Sequence, residues 1–132
     1  MKFIVIAFFA FISTGCVAGE QLHKEKMYDL SSKFKDLAQS ADGIVKFDHE
    51  FSKLDISILQ YMQVKYPEKI KPFDGYIIKE SVESKNVVLL LCNDSVALVE
   101  DAGCSAAIDK HYWNQSIAQS CDFTIDSKII CN

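Results

Sequence analysis

No arginine occurs anywhere in this chain of 132 residues, and its lysines stand against eighteen acids for a net charge of −4. Arginine is the bidentate clamp for phosphate and for guanine edges. Its absence, with a negative net charge, argues against nucleic acid as a partner. Proline is almost as scarce: Pro67 and Pro72 are the only two, both within residues 66–75. No Gly-x-Ser-x-Gly, no His-Glu-x-x-His and no glycine-rich phosphate loop is present, so no recognised catalytic motif marks an enzyme. No Cys-x-x-Cys pair suggests zinc, and the expectation is no metal and no cofactor. Internal repeats and low-complexity segments are also lacking.

Long apolar runs are missing except at the N-terminus. There, one lysine (Lys2) precedes a continuous apolar stretch over residues 3–12, and small residues follow. That is the order of a secretory signal peptide. The stretch is shorter than the roughly 20 residues needed to span a bilayer. Residues 1–19 are therefore read as the signal segment, cut after Ala18 or Gly19. The alternative is lipidation of Cys16, whose preceding Ser-Thr-Gly resembles a lipobox without its large aliphatic residue. Residues 20–132 form the expected single exported domain, with net charge −5 once Lys2 is removed.

Four cysteines remain in that domain: Cys92, Cys104, Cys121 and Cys131. An even number in a small exported chain reads as a disulfide framework. Four cysteines allow three pairings. Their placement favours Cys104–Cys121, closing the ends of an expected helix, and Cys92–Cys131, tying the last strand to the central one.

Met27, Leu30, Phe34, Leu37 and Ala38 recur at helical spacing, which predicts a helix over residues 21–40. Ser40-Ala41-Asp42-Gly43 then reads as a break. Phe47, Phe51, Leu54, Ile58, Tyr61 and Met62 predict a second helix over 45–65, ended by Tyr66-Pro67. After the proline-bearing linker the pattern turns to strands. Residues 76–83 alternate, and residues 87–92 form the unbroken apolar run of a strand covered on both faces. Residues 95–101 return, with Val96, Leu98 and Glu100 on one face. A short helix over 105–118 and a closing hairpin around Ser127 complete the reading. The predicted class is α+β: two N-terminal amphipathic helices, then a mostly antiparallel sheet with one inserted helix.

Charge is unevenly distributed. Residues 20–73 balance, whereas residues 92–132 hold six acids against two lysines. Complementary charge speeds and selects association, and aromatic side chains recur among interface hot spots. These features make Glu100, Asp101, Asp109, Tyr112 and Trp113 the candidate contacts, with a basic protein as the expected partner. The implied function is an exported binding domain of the inhibitor or immunity type. The two alternatives are a carrier, with Phe34, Phe47, Phe51 and Tyr61 lining an apolar pocket, and an enzyme built on Asp101, Asp109 and His111. On a helix, His111 and Asp109 would point to different sides. Asn93 and Asn114 both begin glycosylation acceptor triplets.

Overall fold

A computed structural model describes the backbone of residues 14–131 and the side chains of 19–131. Residues 1–13 of the expected signal segment lie outside the described residues, as does the side chain of Cys16. Four helices come first: α1 (Thr14–Phe47), α2 (His49–Ser52), α3 (Ile58–Lys65) and α4 (Pro67–Ile70), closed by a 3₁₀ turn over Lys71–Phe73. The strands follow: β1 (Ile77–Glu83), β2 (Asn86–Asn93), β3 (Val96–Ala102) and β4 (Asp109–His111). They form one antiparallel sheet in the order β1-β2-β3-β4. The class is α+β, as expected. Among the described residues, no helix is long and apolar enough to cross a membrane.

The expected break at Ser40–Gly43 does not occur, because α1 runs straight through it. The apolar spacing continues past Ala38 to buried Ala41 and the half-buried pair Ile44 and Val45. Asp42 is buried and reaches across to the sheet, accepting the Val87 N–H at 3.1 Å and the Lys46 ammonium at 2.6 and 2.7 Å. A residue that favours turns when solvated here has better partners inside the helix. Gly103 lets β3 approach α1 closely, since a Cβ there would collide with the backbone of Ala38.

The predicted second helix over 45–65 is instead the end of α1 followed by two short helices, α2 and α3. Asp48 caps α2 by accepting the Phe51 N–H. Ser57 and Gln60 form a reciprocal capping box that starts α3 afresh, the pairing of orphan donors that defines a helix start. Phe47 is consequently 79% exposed and Leu54 47%. Glu80 of β1 accepts the N–H groups of Ile58 and Leu59, which places a carboxylate at the positive end of α3.

β2 is covered on both faces. Val87, Leu89 and Leu91 join Val99 and the residues of α1 and α3 in the main core. Val88, Leu90 and Cys92 face the other way, against Tyr112, Cys121 and Ile125 of the C-terminal segment. That segment is mostly irregular. The expected helix over 105–118 is absent; the chain makes β4 and a 3₁₀ turn, Tyr112–Asn114. The expected closing hairpin is also absent: after one isolated bridge, Val96↔Ser120, residues 121–131 cross the sheet face without strand pairing.

Two disulfides hold this segment, in a pairing other than the favoured one: Cys92–Cys121 and Cys104–Cys131. The physical reason lies in the fold. With no helix between Cys104 and Cys121 these two are not brought together, and Cys121 instead packs beneath the sheet against Cys92.

Candidate functional site

A β-bulge between Leu91 and Cys92 shifts the β2–β3 register, so that Leu91 faces Val99 while Cys92 faces Ala97. This separates residues expected to share a face. Leu98 packs with the helix-side core, whereas Glu100 lies on the opposite side, under the C-terminal segment. Asp101 then points back toward α1.

Glu100 is fully buried. Its Oε2 accepts the N–H groups of Thr124 at 2.8 Å and Ile125 at 2.7 Å. Its Oε1 accepts the hydroxyls of Tyr112 at 2.8 Å and Thr124 at 2.7 Å. Tyr112, itself buried, has its phenol raised above the ordinary value, by burial first and by the bond to Glu100. The expected partner contacts Glu100 and Tyr112 are therefore interior groups that hold the C-terminal segment to the sheet. Asp101 is interior too, because a central strand covered on both faces has no free side.

The other side of β3 meets α1 in a polar seam. Asp101 and Asp109 are directly opposed across the β3–β4 ladder. Lys35 of α1 sits over both, its Nζ 3.4 Å from Oδ2 of each, and donates to the Ala106 carbonyl at 2.9 Å. His111 Nε2 lies 3.0 Å from Asp109 Oδ2. The expected divergence of Asp109 and His111 is thus corrected: in a strand, residues two apart share a face. Among the described residues, neither carboxylate oxygen of Asp101 has a hydrogen-bond partner. Burial pushes its carboxyl up to about 7, against the opposing pull of Lys35 and with a further push from Asp109.

Further along, Trp113 donates its indole N–H to the Ser31 hydroxyl at 3.1 Å and meets Tyr28 edge-on, centroids 4.9 Å apart. His111 stacks loosely on Trp113 at 6.1 Å. Tyr28, Ser31 and Lys35 come from one stripe of α1, at steps of three and four. Asp109, His111 and Trp113 come from alternate positions after β3. Tyr28 is 55% exposed, and the seam opens to solvent at Asp109, His111 and Trp113, all partly exposed.

Of the candidate residues, the structure brings Asp101, Asp109 and Trp113 together and places Glu100 and Tyr112 behind the sheet. Tyr28 and Lys35 were missed by sequence reasoning. Their helical phase with Ser31 is legible, but the strand they face is not. Among the described residues, no group of three His, Cys, Asp or Glu side chains is placed to hold a metal ion. The carrier's predicted lining does not form a pocket: Phe34 is core against Phe73, Phe47 is exposed, and Phe51 packs on Tyr61. The chain matches no protein-family model, no curated protein and no solved structure, so the functional reading rests on its own residues.

Proposed function

We propose that this chain is an exported, disulfide-stapled domain that binds another protein through the α1–β4 seam. Its most specific form is an inhibitor or immunity-type protein that caps a basic site on a toxin or hydrolase. One observation carries the reading: Tyr28 and Trp113 stand at the surface as a packed aromatic pair beside Asp109 and His111, on a base fixed by the Trp113–Ser31 and Lys35–Asp101 contacts. Aromatic residues supply much of the energy at interfaces, and neighbouring acids steer a basic partner. The exposed acids Asp94, Asp122 and Asp126 add to the attraction. Two disulfides support export, since such bonds persist in oxidising compartments.

An enzymatic reading has one observation in its favour, the convergence of Asp101, Asp109 and His111 around Lys35. Asp101 is sealed from solvent, however, and the seam's hydroxyl, Ser31, already donates to the Met27 carbonyl. A docking surface needs neither a nucleophile nor an open cleft.

The test is affinity capture from the native source with residues 20–132, beside the variants Tyr28→Ala and Asp109→Asn. One stoichiometric basic protein, retained by wild type and lost by both variants, is the expected result. Equal retention by all three forms would remove the seam from the interface.

A further inference from the structure

We propose that the α1–β4 seam is a pH-operated latch, in which Asp101 and Asp109, sharing the single ammonium of Lys35, hold β4 against α1 while Asp101 carries a proton and loosen it when both are ionised. This assigns a regulation to the proposed docking surface. The latch itself is a property of the fold and does not depend on a partner.

The geometry is that of an under-compensated pair. Like charges directly opposite in an antiparallel ladder repel, and Asp101 and Asp109 occupy such a position. One cation serves both, at 3.4 Å from each, and its short hydrogen bond goes to the Ala106 carbonyl, not to a carboxylate. A buried ionised carboxylate without hydrogen bonds is costly, and among the described residues Asp101 has none at either oxygen. The groups facing it are Lys35 from α1 and Asp109 from β4, with His111 behind Asp109. Burial holds the Asp101 carboxyl up to about 7, so the proton leaves to solvent near neutrality.

β4 is the element built to respond. It has three residues, all paired to β3 at the edge of the sheet, and the connection before it is exposed at Ala106 and Ala107. Short edge elements with few buried contacts open at low local cost. Opening would move Trp113 off Ser31 and Tyr28, dispersing the aromatic pair on which docking relies.

Amide hydrogen exchange of the intact, oxidised protein tests this, read as protection after correction for the intrinsic rate. Between about pH 5.5 and about pH 8.5, protection in β4 is expected to fall about tenfold, with β1 and β2 unchanged. The single tryptophan gives a parallel fluorescence titration. Asp101→Asn should abolish both changes and keep the seam closed. His111→Gln should leave the midpoint in place.

A flat wild-type profile would overturn the latch, as would an unaltered transition in Asp101→Asn or its loss in His111→Gln. Neither readout uses a partner. A failed capture therefore leaves the latch standing, and a flat profile leaves the docking proposal standing.

Discussion

Oε2 of Glu100 accepts the backbone N–H of Ile125 at 2.7 Å, and this contact fixes an irregular tail to a regular sheet. The neighbouring Thr124 N–H uses the same oxygen. Two main-chain donors that no strand pairs with are thus satisfied by one carboxylate. Unmet, buried N–H groups cost about 1–3 kcal/mol each.

Glu100→Ala should therefore lower unfolding free energy by about 3 kcal/mol, read by denaturant unfolding of the oxidised protein. The loss should appear as local loosening of residues 121–127, measurable by exchange or proteolysis. A change below about 0.5 kcal/mol, the size expected of an ordinary surface substitution, would show that the disulfides alone hold the tail.

Asp101 sets the pH dependence of stability. Its folded-state value, about 7, lies above the ordinary 3.8. Between those values the folded state binds a proton that the unfolded state has released, so stability falls as pH rises through the window and levels off above it. At about 1.4 kcal/mol per pH unit, the full span is roughly 4 kcal/mol. Asp101→Asn, which keeps the shape without the charge, should remove this slope and be the more stable form at about pH 8. Parallel stability curves for the two proteins from about pH 4 to about pH 8 would contradict the assignment.

How much of this was legible follows from the range of each signal. The core residues of α1 and the doubly covered strand β2 stand out because periodicity of 3.6 and an unbroken apolar run are local patterns. Asp42 misled because its acceptor role depends on Val87, forty-five residues away. The Ser57–Gln60 capping box was in the sequence as Ser-x-x-Gln, and it would have split the second helix at the right place. The bulge at Leu91/Cys92 left no local mark, yet it decides that Glu100 is a clamp and Asp101 a seam residue. Residues 105–120 failed for a related reason. Ordered by two disulfides and by Glu100, they need no strong propensity of their own.

The two disulfides should differ in reactivity. Cys92 is fully buried and Cys121 nearly so, whereas Cys131 is exposed and Cys104 half-buried. Mild reduction followed by alkylation is expected to label Cys104 and Cys131 first, as peptide mapping would read directly. Replacing both by serine should cost about 2–4 kcal/mol, the usual range for one bridge. Labelling of Cys92 at an equal rate would mean that the C-terminal segment opens as a unit.

Two glycines, Gly43 within α1 and Gly103 just past β3, should respond in opposite directions to the same substitution. Gly43 lies in the interior of α1 with nothing within 4 Å of an added Cβ. Gly43→Ala should therefore stabilise the protein by about 1 kcal/mol, since glycine in a helix carries an entropy cost that alanine does not. Gly103 meets the backbone of Ala38, which has no flexible end to yield, and the Asp42 Cβ at 2.8 Å. Gly103→Ala must push β3 away from α1, straining both the Asp42–Val87 bond and the seam at Lys35. A loss of at least about 3 kcal/mol is expected, in the upper range for overpacking. Thermal unfolding of the two variants side by side is the measurement. A neutral Gly103→Ala would mean that the helix and sheet lie farther apart than their contacts require, and the seam geometry would fall with it.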